Sequence, residues 1–84
     1  MNIIFSNRAW EDYLYWNATD KKIFKKINSL IKECQRTPFS GIGKPEPLKH
    51  ELSGAWSRRI DREHRLVYRV KDDPLEIAQC RHHY

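Results

Sequence analysis

An α+β fold, with two N-terminal helices packed on one face of a small antiparallel sheet in the order β-α-α-β-β-β, is what the 84-residue sequence predicts. Three observations carry that expectation. Ile23, Phe24, Ile27, Leu30, Ile31 and Cys34 form one apolar stripe at helical spacing. Ala55 to Asp61, Arg65 to Lys71 and Leu75 to Arg81 have strand length and composition and are separated by short polar turns, the pattern of an antiparallel meander. A chain this short has room for one modest core, so residues 1–84 are read as a single domain.

Taken in order, Asn2-Ile3-Ile4-Phe5 is a β-branched and aromatic run that ends at Ser6, a natural N-cap residue. The first helix is expected from Asn7 to Trp16, with Trp10, Tyr13, Leu14 and Asn17 at helical spacing and Glu11 and Asp12 near its positive end. Thr19 or Asp20 caps the second helix, and Pro38 stops it. Lys21, Lys22, Lys25, Lys26 and Lys32 lie on that helix's polar face, either as a solvated surface or as a nucleic-acid contact. Phe39 to Gly54 holds three glycines and two prolines and reads as a loop with an irregular turn around Leu48 to Leu52. Long loops in small domains tend to be functional.

Within that loop, Glu46 stands between Pro45 and Pro47. Each ring locks φ and removes an N–H, so the carboxylate is excluded from a helix or a central strand and is held on a stiff, exposed segment. A positioned base and a solvated glutamate on a rigid connector are both open readings. In the later strands, alternation sets Ser57, Arg59 and Asp61 against Trp56, Arg58 and Ile60, and Arg65, Val67 and Arg69 against Leu66, Tyr68 and Val70. If the helices cover the second set, Arg65 faces away from them and Arg59 can be its neighbour. Two guanidinium forks on an open sheet face suit a phosphate; the competing reading is an ion pair with Glu46, Asp61 or Glu63.

Sixteen Lys and Arg against eleven Asp and Glu give a net charge of +5, which favours a polyanionic partner such as nucleic acid. No run has transmembrane length, and Met1 to Ser6 lacks the basic start and apolar region of a signal peptide, so a cytoplasmic location and no membrane partner are expected. Cys34 and Cys80 are too few for a disulfide framework and read as small buried side chains. Cys80-Arg81-His82-His83-Tyr84 closes the sequence. Cys80 and His82 share a face of an extended strand while His83 takes the other, and no zinc-finger spacing occurs elsewhere, so neither a metal nor a cofactor is expected. His83 as a proton donor and Tyr84 as a stacking or hydrogen-bonding group need no metal.

Trp10-Glu11-Asp12-Tyr13-Leu14-Tyr15-Trp16, Lys44-Pro45-Glu46-Pro47-Leu48-Lys49-His50, Leu52-Ser53-Gly54, Trp56-Ser57-Arg58-Arg59-Ile60, His64-Arg65-Leu66-Val67-Tyr68 and His83-Tyr84 together resemble the YoeB toxins of the RelE superfamily. The family commonly has an aromatic residue where this chain has His82. The resemblance implies a RelE-like fold and a bacterial type II toxin, a ribosome-dependent endoribonuclease that cuts mRNA in the A site and inhibits translation. It further implies a cognate YefM-like antitoxin and contact with operator DNA only through the antitoxin complex, and it leaves open whether the chain forms a homodimer. Carried over by position, Glu46 is similar to the general base, Arg65 to the phosphate-stabilising arginine and His83 to the general acid. Lys49 and Arg59 resemble further electrostatic contacts, and Tyr84 the substrate-orienting residue. The implied chemistry is metal-independent attack of a ribose 2′-OH on the adjacent phosphate. A non-catalytic RNA- or ribosome-binding module, and a regulator working through its antitoxin on DNA, are the competing readings.

Overall fold

The computed structural model describes Met1–Tyr84. Its elements are β1 (Ile3–Phe5), α1 (Asn7–Thr19), α2 (Lys21–Arg36), β2 (Glu46–Pro47), a 3-10 turn at His50–Leu52, β3 (Trp56–Arg59), β4 (Arg65–Val70) and β5 (Leu75–Gln79). The strands form one five-stranded sheet in the order β1-β5-β4-β3-β2. The expected meander is present, since β3 pairs antiparallel with β4 and β4 with β5. Two features differ from the expectation. β1 lies parallel to β5, with Ile3 opposite Leu75, so the sheet is mixed rather than wholly antiparallel. Parallel pairing of the first and last strands is a long-range event with no local sequence signal, because the whole chain between them, two helices and three strands, intervenes. Glu46–Pro47 also adds a short edge strand, antiparallel to β3, where the sequence suggested only loop. An edge tolerates the missing proline N–H.

Ser6 caps α1 by accepting from the Ala9 N–H at 3.0 Å, and its hydroxyl donates to the Ala78 carbonyl at 2.8 Å, tying the helix start to the neighbouring strand. α1 runs three residues past the expected end, to Thr19. Asp20 is the cap of α2, accepting from the N–H groups of Lys22 and Ile23. The buried face of α1 is Ala9, Asp12 and Trp16, whereas Trp10 and Leu14 are exposed. The reason is packing at the entry: Trp10 stacks on Tyr13 and meets Phe5 edge-on at the surface, so the aromatic stripe forms a rim rather than the core. Trp16 instead reaches inward, its Nε1–H donating to the Cys80 carbonyl at 2.8 Å.

The main core lies between the helices and the sheet and includes Ile27, Leu30, Ile31, Cys34, Leu66, Tyr68, Leu75 and Ile77. Arg58 is fully buried there. Its Nε–H donates to the Tyr68 hydroxyl at 3.1 Å, its Nη1 to the Ile42 carbonyl at 2.9 Å, and its Nη2 to the carbonyls of Ser40 and Thr37. Main-chain carbonyls thus solvate a cation that no carboxylate pairs, and the segment after α2 is clamped to the sheet. On the sheet's other face, Leu48, Ala55 and Val67 make a second, smaller core, so the segment after β2 folds over that face. No helix is long and apolar enough to cross a membrane.

Candidate active site

Glu46 enters the sheet opposite Ser57, and Arg59 lies opposite Arg65. Directly paired residues share a face and so do residues two apart on a strand, which sets Glu46, Ser57, Arg59, Arg65 and Val67 on the side away from the helices. Glu46 is exposed, and the Tyr84 hydroxyl donates to its Oε1 at 3.0 Å. A cleft of about 390 Å³ is lined by Glu46, Pro47, Leu48, Lys49, His50 and Tyr84. Lys49 and Tyr84 therefore meet Glu46 in one place. The largest depression, of about 730 Å³, lies along α2 between Lys32, Arg36 and Ile42 and holds none of the expected site residues.

The two arginines differ. Arg59 is exposed and lines a second cleft with Lys26, Lys44, Asp61 and Arg62, a groove with four cationic side chains against one carboxylate beside the Glu46 segment. Arg65 is only 9% exposed, which departs from the expectation of a freely available side chain. Its Nη1 donates to the carbonyls of Asp61 at 2.8 Å and His64 at 3.1 Å, while its Nε and Nη2 have no partner within the chain. The turn 61–64 and the last residues of the chain cover it, and strand alternation describes neither the fold of that turn nor the arrival of the chain end. Neither arginine forms an ion pair with Glu46, Asp61 or Glu63; the pairs present are Arg8–Asp12, Arg36–Glu33 and His64–Glu63. Asp61 serves the turn instead: burial pushes its carboxyl up, but the N–H groups of His64 and Glu63 and the nearby His64 and Arg65 draw it below the usual range.

The last residues are held at several points. The Arg65 N–H donates to the His82 carbonyl at 3.0 Å, and the His82 N–H donates to His64 Nδ1 at 2.7 Å. His83 is exposed, its Nδ1 is 3.1 Å from the Tyr84 main-chain oxygen, and its ring lies 4.5 Å from the Tyr84 ring. It is next to the site but has no hydrogen bond to Glu46, Arg59 or Arg65. Cys80 is buried, its thiol donating to the Ala9 carbonyl, and burial beside Asp12 pushes it up to about 12. Such a thiol is a poor ligand and a poor nucleophile.

Sequence reasoning assigned no role to His64, which is buried edge-on against Trp16 and fixes the backbone of His82. No local pattern marks it, because its partners come from α1 and the end of the chain. Three non-glycine residues around the site have left-handed backbone, Lys44 at φ 51°, His50 at 58° and His82 at 68°. Such strain tends to collect where a site needs fixed geometry. The Lys44 value also overrides the extended bias that a following proline imposes.

Residues 5–84 match the family model described as YoeB-like toxin of bacterial type II toxin–antitoxin system. The chain is 68% identical to toxin YoeB of Escherichia coli K12 over 84 residues, covering all of both chains. Among solved structures it resembles the YoeB/ParE toxin from Agrobacterium tumefaciens, with a TM-score of 0.97 and 51% identity over the full length of both. It also resembles YoeB from Staphylococcus aureus, solved as a dimer (TM-score 0.93, 54% identity) and as a YoeB–YefM complex (0.92, 53%), each match covering all of this chain and 98% of that one.

Proposed function

The chain belongs to the YoeB-like toxins of bacterial type II toxin–antitoxin systems, and from that premise we infer that it is a ribosome-dependent endoribonuclease that cuts mRNA in the ribosomal A site. The observation that carries this reading is the shared face: a proline-fixed carboxylate, Glu46, meets Lys49 and Tyr84 in one cleft, with Arg59 and Arg65 on the same side of the sheet. A base beside cations on an accessible surface is the arrangement that phosphodiester cleavage through a 2′-OH requires.

In this mechanism Tyr84 holds one oxygen of Glu46 and leaves the other to accept the ribose 2′-OH proton. The alkoxide oxygen bonds to the adjacent phosphorus as the bond to the departing 5′-oxygen breaks, and His83 protonates that oxygen. Arg65, with two nitrogens not used within the chain, takes the developing charge on the phosphate oxygens, assisted by Arg59 and Lys49. The products are a 2′,3′-cyclic phosphate and a 5′-hydroxyl. The His83 and Tyr84 rings are exposed on a tail pinned mainly through its backbone, so His83 can turn toward the departing oxygen and Tyr84 can offer its ring face to the substrate while its hydroxyl stays on Glu46.

By analogy with the S. aureus relative, a YefM-like antitoxin is the proposed partner that covers this face, self-association as a homodimer is a second proposed assembly, and operator DNA is met through the antitoxin complex. The test of the enzymatic reading is to map mRNA fragment ends after incubation with programmed 70S ribosomes, with and without the protein. New ends confined to the A-site codon, absent when ribosomes are omitted, are expected. Salt-sensitive ribosome binding without new ends would instead mark a binding module.

A further inference from the structure

We propose that Glu63, His64 and His82 form a binding site for a transition-metal ion of the Zn²⁺ class, and that the bound ion replaces the hydrogen bond between the His82 N–H and His64 and so shifts the last residues of the chain. One donor atom from each of the three side chains lies within 4.8 Å of the other two. Two imidazoles and one carboxylate suit Zn²⁺, Co²⁺ or Cu²⁺, whereas Mg²⁺ and Ca²⁺ favour all-oxygen sets. Three protein ligands leave a coordination position for water. The cluster uses none of the groups to which acid–base roles are assigned above, and the inference stands whether or not the chain is a nuclease.

The site is half built. His64 is fixed by three contacts: its ring is edge-on to Trp16 at 4.8 Å, its N–H donates to Asp61 Oδ1 at 2.6 Å, and its Nδ1 accepts from the His82 N–H at 2.7 Å. The Glu63 N–H donates to the same Asp61 oxygen at 2.9 Å, which fixes the turn, while Glu63 Oε1 lies 3.7 Å from His64 Nε2. The side chains of Glu63 and His82 are exposed and free to move. Tetrahedral ligands at zinc distances stand about 3.3 Å apart, so the present spread has to contract. The mobile side chains, and the segment carrying His82, are what can close it.

Closure is coupled to the tail by proton bookkeeping on His64. The His82 N–H can only donate, so Nδ1 carries the lone pair and Nε2 the proton of the neutral ring. An ion on Nδ1 takes that lone pair. An ion on Nε2 moves the ring proton to Nδ1. Either way the His82 N–H loses its acceptor, and ion and anchor exclude each other. The His82 carbonyl keeps the Arg65 N–H and its ring gains the ion, so the backbone at His82 turns and the hydroxyl of Tyr84, two residues on, shifts from its place 3.0 Å from Glu46.

The experiment is titration of the full chain with Co²⁺ and Zn²⁺, followed by its visible absorption and by NMR of the Tyr84 ring. Expected are one equivalent of bound metal with the d–d bands of a nitrogen-containing site, and a Zn²⁺-dependent shift of the Tyr84 ring signals. His82→Phe removes the ligand and keeps a planar ring, with folding checked by urea denaturation because position 82 has left-handed backbone at φ 68°; it should weaken Co²⁺ binding at least about tenfold and remove most of the Tyr84 shift at the Zn²⁺ level that half-saturates the parent chain. His50→Ala should leave binding unchanged. No stoichiometric binding, or equal binding by His82→Phe, overturns the site. Binding that leaves the Tyr84 signals unmoved overturns the shift of the tail.

Discussion

Tyr84 and Glu46 come from distant parts of the chain, yet one hydrogen bond joins them, so the proposed base is oriented by a residue whose own position depends on His64 and Arg65. Charge type then divides the proposed proton work. Glu46→Gln keeps the shape and the Tyr84 contact but cannot accept a proton, and His83→Ala removes the acid while leaving the cations in place. Each should slow single-turnover cleavage on ribosomes by about a hundred- to ten-thousand-fold with ribosome affinity little changed. A variant that loses affinity in step with rate would point to binding rather than chemistry. The shared face of Arg59 and Arg65 was legible because alternation along a strand is local. The covering of Arg65 was not, because it depends on the His82 carbonyl and on a turn held by Asp61.

At the level of elements, the segment between α2 and β3 is the part whose shape matters most and whose sequence says least. It contains the edge strand, the 3-10 turn and two of the strained residues, and it is fastened at one end by Arg58. Replacing Arg58 by Met leaves the Thr37 and Ile42 carbonyls without a donor, while the Ser40 carbonyl keeps the Thr37 hydroxyl and the Tyr68 hydroxyl keeps the Pro38 carbonyl, so a loss on the order of 3 kcal/mol is expected in urea denaturation. Arg58→Lys should recover little of it, because one ammonium cannot reach partners spread around a guanidinium. A loss below about 1 kcal/mol would mean that water replaces the clamp. The helix starts, the end of α2 and the strand meander were readable from caps, prolines and periodicity, whereas α1 runs on to Thr19 with no stop signal to mark its end. The inward position of Arg58 also follows from alternation, but nothing local announces the carbonyls that make an arginine acceptable there.

For the molecule as a whole, stability should decline at alkaline pH. Burial pushes the Tyr68 hydroxyl up to about 12, with the neighbouring Arg58 opposing, and pushes Cys80 up to about 12 and Cys34 upward. These groups ionise at about 8.5 to 10 once unfolded, so above that range the folded chain holds protons that the unfolded chain has released. Folding stability is therefore intact at neutral pH and falls as pH rises toward about 12. Urea midpoints at about pH 8 and about pH 10.5 should differ, and the difference should shrink in Cys80→Ala. An equal fall in that variant would remove Cys80 from the explanation. The global topology was mostly accessible from the order of helices and strands. The parallel pairing of β1 with β5 was not, since it joins the two ends of the chain.

The central claim is that a ribose 2′-OH, activated by Glu46, is the nucleophile. Its most direct test is single-turnover cleavage of a ribosome-bound mRNA carrying one 2′-deoxy sugar at the mapped cut site, beside the all-ribose message. The deoxy message should remain intact at that position while the all-ribose message is cut to a 2′,3′-cyclic phosphate and a 5′-hydroxyl. Cleavage of both messages at the same rate would contradict the mechanism.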